Sequence, residues 1–371
     1  MNSKTQIESL ALPGVCGLRP YEPGKPVEEL ERELGLTNII KLASNENPLG
    51  PSANVLDAIS AALPDLSRYP DGNGFALKQA LAEKHSVDLD QVTIGNGSND
   101  ILELLTRAFV SPENEVVFSQ HAFAVYPIVT QAVGAKAVVV PAKEWGNDLD
   151  AMLAAITDKT RVVFVANPNN PTGTCVAKNK LKDFIKAVPE HVIVVVDEAY
   201  FEYAQALFPG YESAENYLAQ TPNLVVTRTF SKAYGLAALR IGYSLSSAEI
   251  ADFLNRVRQP FNVNSLAMAA AIAALSDEQH LKDSLALNQS GLEQYHQACI
   301  ELGLEWIPTA ANFICINVKQ NGRDVFDKLL HRGIIVRPVD NYEMPEFVRI
   351  TVGSEEENQH CIEALTEVLQ S

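Results

Sequence analysis

Val192-Ile193-Val194-Val195-Val196-Asp197-Glu198-Ala199-Tyr200 decides how this chain folds. An unbroken run of β-branched residues, closed by a carboxylate, describes a strand covered on both faces, because a solvated face would call for alternation with polar residues. Comparable apolar runs lie at 92–94, 115–118, 137–140, 161–166 and 224–227, with helical stretches such as 100–109 and 178–188 between them. Alternating strands and helices predict an α/β fold, a largely parallel sheet with helices on both sides. Asp197 then lies at the carboxyl end of a buried strand, the edge where open α/β sheets bind ligands. A carboxylate buried there is unfavourable without a cation beside it. A simple helix cap is the competing reading of Asp197-Glu198-Ala199-Tyr200.

Outward from this core the texture changes twice. Residues 1–40 are rich in turn formers (Pro13-Gly14, and Arg19-Pro20-Tyr21-Glu22-Pro23-Gly24-Lys25-Pro26) and read as an irregular arm that wanders or lies across another surface, such as a second subunit. The sheet pattern occupies 41–260. Residues 261–371 read as a smaller α+β domain, with an Ala-rich helix over 266–275, a long helix over 277–302, shorter strand and helix runs, and a last helix from 355. A length of 371 residues suits two such domains.

Hydrophobic residues at 47% and charged residues at 20% are ordinary globular composition. The net charge of −17 disfavours nucleic acid or an anionic membrane as partner, since both require a basic surface. Small anionic substrates remain compatible, because a few local arginines override the average field. The cysteines (Cys16, Cys175, Cys299, Cys315, Cys361) form no CxxC pair, and read as reduced thiols of a cytoplasmic protein, not metal ligands. No basic segment followed by an apolar run opens the chain, and no apolar stretch reaches the roughly 20 residues of a membrane span.

Several motifs carry chemistry. Ile94-Gly95-Asn96-Gly97-Ser98-Asn99-Asp100 joins a strand to a helix. Its first helical N–H groups can face an anion, or Ser98 or Asn99 can simply cap the helix over 100–109. A dinucleotide fingerprint is disfavoured, since Asp100 stands where its third glycine belongs. Asn167-Pro168-Asn169-Asn170-Pro171-Thr172-Gly173 follows a strand and reads by composition as a rigid turn. Thr229-Phe230-Ser231-Lys232-Ala233-Tyr234-Gly235-Leu236-Ala237-Ala238-Leu239-Arg240 follows another strand. A lysine placed after an Asn loop and a strand-terminal Asp, with Ser and Arg flanking it, is the set that a pyridoxal phosphate site needs. A Ser-Lys hydrolase is disfavoured because no Ser-x-x-Lys helix motif occurs here. Arg228 reads as a surface charge.

In these motifs, and in Lys41-Leu42-Ala43-Ser44-Asn45-Glu46-Asn47-Pro48-Leu49-Gly50, the chain resembles the fold-type I aminotransferases, and within them the histidinol-phosphate aminotransferase group. The likeness runs from this decapeptide through Arg349. It implies that Lys232 forms the Schiff base with pyridoxal 5'-phosphate, that Asp197 pairs with the ring nitrogen, and that Asn170 and Tyr200 bond the phenolic oxygen. Ser231, Arg240, Gly97, Ser98 and Asn99 would hold the phosphate, and Phe123 would stack on the ring, although an ordinary core phenylalanine is the plainer reading of that residue. Tyr69 matches a tyrosine that reaches the phosphate of the neighbouring subunit, which implies a homodimer with shared active sites. Arg349 and Arg337 would clamp the anionic ends of the substrates, with Tyr21, Arg19 and Asn47 close by. The implied reaction is transamination of L-histidinol phosphate with 2-oxoglutarate, giving imidazole-acetol phosphate and L-glutamate in histidine biosynthesis. An aromatic amino acid aminotransferase and a threonine-phosphate decarboxylase share the same motifs and remain alternatives. A relative without activity would be free to lose Lys232, Asp197 and Arg240.

Overall fold

The computed structural model describes residues 9–18, 20 and 24–370. Its strands are β1 (Ile40–Lys41), β2 (Val92–Gly95), β3 (Glu115–Ser119), β4 (Lys136–Val140), β5 (Thr160–Ala166), β6 (Ile193–Asp197), β7 (Leu224–Thr229), β8 (Gly242–Leu245), β9 (Glu305–Ile307), β10 (Phe313–Asn317), β11 (Ile334–Ile335), β12 (Arg337–Pro338) and β13 (Phe347–Thr351). A seven-stranded sheet runs in the order β2-β8-β7-β6-β5-β3-β4. Its strands are parallel except β8, which is antiparallel to both neighbours. Four antiparallel strands, β12-β13-β10-β9, form a second sheet.

The Val-rich runs are strands because both their faces are covered. Every residue of β6 and of β7 is buried, and helices such as Ser98–Phe109 and Lys178–Ala187 supply the two layers. Sequence reading passed over β8, because Gly242-Tyr243-Ser244-Leu245 lacks the Val-rich signature and begins on glycine. That glycine is required: a Cβ there would lie 2.5 Å from the Ser98 nitrogen.

Helix Ser265–Ser276 packs Ala267, Ala270, Ala271 and Ala274 into the core of the large sheet. The following helix, Glu278–Leu302, packs Leu292, Tyr295 and Cys299 onto the small sheet, so the changeover between the two cores falls there. The arm is less irregular than its composition suggests. Pro26 and Gly35 bracket a helix, Val27–Leu34, and Leu30 packs against Ala43, Leu330 and Ile335. Next, β1 pairs in parallel with β11, tying the segment that begins at Ile40 to the C-terminal part of the chain. Among the described residues no helix is long and apolar enough to cross a membrane.

Arg228 corrects the surface-charge reading. It is 2% exposed, and its guanidinium lies 2.8 Å from the Glu198 carboxylate and 3.0 Å from that of Glu215. Ser213 Oγ and the Ala214 N–H each donate to Glu198 at 2.8 Å, and the guanidinium covers the Phe201 ring at 3.5 Å. Glu198 follows Asp197 and Arg228 follows Thr227, so this pair joins the carboxyl ends of two neighbouring strands. Removing one partner of a buried pair strands the other charge. Glu198→Ala should therefore lower unfolding stability by about 3–5 kcal/mol, read by chemical denaturation; a change near zero would contradict this account of the strand ends.

Candidate active site

The carboxyl ends of β5, β6 and β7 open into one cavity, lined by Ser98, Asn99, Phe123, Asn170, Asp197, Tyr200, Ser231, Lys232 and Arg240 among others. Lys232 follows β7 by way of a tight turn. Its Nζ donates to the Ser44 carbonyl at 3.0 Å. Loss of water around the amine is the main cause that brings its pKa down to about 7; Arg349 and Arg240 push the same way and Glu46 opposes them. A lysine in this state is uncharged for much of its time at neutral pH, as a nucleophilic amine must be.

Asp197 ends β6, with Ala166 beside it on β5 and Thr227 on β7. It does not cap a helix. One carboxylate oxygen accepts from Tyr126 Oη at 2.9 Å and the other from Thr227 Oγ1 at 3.0 Å. Burial raises its pKa, against the lowering effect of these hydroxyls. Both side-chain donors are neutral, so the carboxylate is set in a buried place with its charge unbalanced by them. The Tyr200 hydroxyl accepts from Asn45 Nδ2 at 2.7 Å, and burial moves its pKa up to about 12.

The loop at 94–100 departs from the capping expectation. Helix Ser98–Phe109 starts one residue earlier than a Ser98 cap and two earlier than an Asn99 cap would allow: Gly97 is the N-cap and no side chain bonds the helix end. Asp100 instead accepts from the Asn96 N–H at 2.9 Å and from Asn262 Nδ2 at 2.7 Å. The uncapped N–H groups carry the positive end of the helix dipole. Gly97, at φ 79°, leaves room for Arg240, since a Cβ there would lie 2.6 Å from Nη2. Arg240 Nη1 donates to Ser231 Oγ at 3.3 Å, and Thr229 Oγ1 donates to the same hydroxyl at 3.0 Å. Helix end, hydroxyl and guanidinium together make a cup for a small anion.

Arg349 reaches the site from β13. Its Nη1 donates to Asn170 Oδ1 at 2.6 Å and its Nη2 to the Ala43 carbonyl at 2.7 Å, while Nε is buried without a partner. Arg337 on β12 is its direct partner in the antiparallel register. The two side chains therefore share one face of the small sheet, and both residues are buried. Arg337 is not among the residues lining the Lys232 cavity; it lines a second cleft with Lys25, Glu29 and Arg323.

Other expected residues fall elsewhere. Asn47 is not brought to the cavity lining. Its amide donates to the Ala233 carbonyl and to Ser284 Oγ, both at 2.8 Å, and so holds the peptide after Lys232. Tyr69 is 82% exposed and stacks on Phe261 at 4.7 Å, outside the cavity lining. Tyr21 and Arg19 lie outside the described residues. Sequence reading missed Tyr126, Thr227 and Asn45. Asn45, in left-handed backbone at φ 55°, accepts from Thr351 Oγ1 at 3.1 Å through Oδ1 while its amide holds Tyr200. Thr351 lies two residues beyond Arg349, so Asn45 couples the two sheets at the site.

Residues 37–365 match the family described as aminotransferase class I and II. The chain is 62% identical over 363 residues to histidinol-phosphate aminotransferase 2 of Pseudomonas fluorescens (strain Pf0-1), covering 97% of this chain and 98% of that relative. It is 58% identical over 365 residues to histidinol-phosphate aminotransferase 2 of Pseudomonas aeruginosa, with 97% and 98% covered. Among solved structures, the histidinol-phosphate aminotransferase of Sinorhizobium meliloti in complex with pyridoxal-5'-phosphate superposes with a TM-score of 0.87 at 31% identity, covering 96% of this chain and 97% of that one.

The lowered pKa of Lys232 gives a direct test. Protonation below about pH 7 removes the lone pair, so labelling of Lys232 by an amine-selective reagent should rise through a midpoint near pH 7. Solvated lysines rise near their usual pKa of about 10.4. Peptide mapping after labelling at graded pH reads the midpoint, and one near the solvated value would contradict the site geometry.

Proposed function

This chain belongs to the aminotransferase class I and II family, and we propose that it transfers the amino group of L-histidinol phosphate to 2-oxoglutarate, with pyridoxal phosphate bound in the cavity described above. It is an aminotransferase of fold type I. The observation that carries the proposal is the meeting, in one cavity, of a near-neutral Lys232, the buried carboxylate of Asp197 and the anion cup at Gly97–Arg240.

The donor set suits the cofactor part by part. A buried carboxylate without a cationic donor matches a protonated ring nitrogen. The cup formed by the helix end, Ser231 and Arg240 matches a phosphate, and a guanidinium binds a dianion through parallel hydrogen bonds. Asn170 and Tyr200 would bond the phenolic oxygen, and Phe123 would lie against the ring. When bound, pyridoxal phosphate supplies an aldehyde for amines and a ring that accepts electrons from the substrate carbon.

The residues of this chain would do the rest. Lys232 Nζ, held at the Ser44 carbonyl and with its pKa brought down to about 7, would take the proton from the amine-bearing carbon of the substrate and return it, as general base and then acid. Asp197 keeps negative charge beside the ring nitrogen. Arg349 and Arg337, opposed on one face, would take the anionic ends of the two substrates in turn. Asn47 would contribute at one remove, through the peptide after Lys232. The names of the similar proteins favour histidinol phosphate over an aromatic amino acid or threonine phosphate as donor.

A cytoplasmic homodimer is part of the proposal. Leu56, Leu63, Leu66, Tyr69, Phe75 and Phe261 are all exposed, although large apolar side chains favour burial. A second subunit on this surface would cover them and bring Tyr69 toward its partner's phosphate cup. Free cysteines suit a reducing compartment.

A substrate panel with 2-oxoglutarate tests the reading. Histidinol phosphate should give the highest kcat/KM, ahead of phenylalanine, and threonine phosphate should release no carbon dioxide. Lys232→Ala should abolish turnover. Arg349→Gln loses charged hydrogen bonds to the substrate, so its kcat/KM should fall about 10- to 100-fold. Preference for another donor, or turnover by Lys232→Ala, would overturn it.

A further inference from the structure

Tyr126 was assigned no role from the sequence and does not line the cavity, yet it touches two residues that do. Its hydroxyl donates to Asp197 at 2.9 Å, and its ring meets that of Phe123 edge to face, at 5.9 Å and 86°. It stacks on Phe164 at 4.6 Å and 8°, and its carbonyl accepts from Thr130 Oγ1 at 2.7 Å. The residue is 1% exposed, its hydroxyl held by Asp197 and its ring by Phe123 and Phe164.

We propose that Tyr126 is the positioning residue for the cofactor ring: one side chain aims the Asp197 carboxylate at the ring nitrogen and sets the plane of Phe123 against the ring. The inference rests on the reading that the cavity holds pyridoxal phosphate. Two hydroxyls from different elements, Tyr126 and Thr227, take one oxygen of Asp197 each, which fixes the plane of the carboxylate. Both donate, and donors favour the ionised form over the acid. They work against burial and against the charge of Glu198, with help from the Ala199 N–H. The Tyr200 hydroxyl is the other titratable group facing Tyr126. Packing alone would not need the hydroxyl: phenylalanine fills the same space, and a buried hydroxyl is unfavourable unless it is bonded. The ring of Tyr126 can therefore serve the core while its oxygen serves the carboxylate.

Tyr126→Phe in the full-length protein separates these roles. In cofactor-free protein, the Asp197 carboxyl resonance, followed by carbon-13 NMR across pH, should titrate about one unit higher than in the wild type. The dissociation constant for pyridoxal phosphate should rise about tenfold. An analogue with C–H in place of the ring nitrogen should bind wild type and variant alike. Thr227→Val, which removes the donor to the other oxygen, should move both readouts in the same direction. An unmoved Asp197 titration, or equal weakening of cofactor and analogue, would overturn the inference by reducing Tyr126 to packing. Failure of the wild type to bind pyridoxal phosphate at all would overturn the cofactor reading and this inference with it, and is distinguished by the wild-type measurement alone.

Discussion

Asp197 carries a carboxylate whose hydrogen-bond partners among the described residues are two hydroxyls and an amide, with no cationic donor, and the site is organised around that imbalance. Its strand is buried on both faces, so the carboxylate cannot turn to water. The residue after it, Glu198, is committed to its own ion pair with Arg228, the residue after Thr227 on the neighbouring strand. A charge left unbalanced at the carboxyl edge of a sheet is a receptor for a cationic ligand group. Lys232 is the mirror case, an amine whose pKa burial and two arginines bring down to about 7.

The two sheets meet at these groups. Arg349 bonds Asn170, which follows β5 of the large sheet, and the Ala43 carbonyl. Asn45 links Thr351 to Tyr200, and Ser44 holds Lys232. A short segment, 43–45, thus touches the lysine, the tyrosine and the arginine together.

Local motifs made much of this legible. Lys232, Asp197 and Arg240 sit in short stretches whose residue types and order suggest their chemistry, Asn170 takes its expected role from the family resemblance, and the Val-rich runs announce buried strands. What escaped depends on contacts between distant residues. Tyr126 is an apolar-helix tyrosine until β6 is placed beside it, 71 positions away. Asn45 and Thr351 are separated by 306 positions. The opposition of Arg337 and Arg349 is a matter of strand register, which two-residue β12 gives no signal for. Arg228 looked solvated because a lone charge in a strand usually is, and its partners lie on other elements. The helix over 27–34 was hidden by the turn formers around it, two of which in fact mark its ends.

The central claim is that the amine of Lys232 is the group that captures the cofactor. Reduction with borohydride of the protein incubated with pyridoxal phosphate, followed by peptide mass spectrometry, tests it most directly. A single reduced adduct on Lys232 is predicted. An adduct on another lysine, or none in the presence of excess cofactor, would contradict the account.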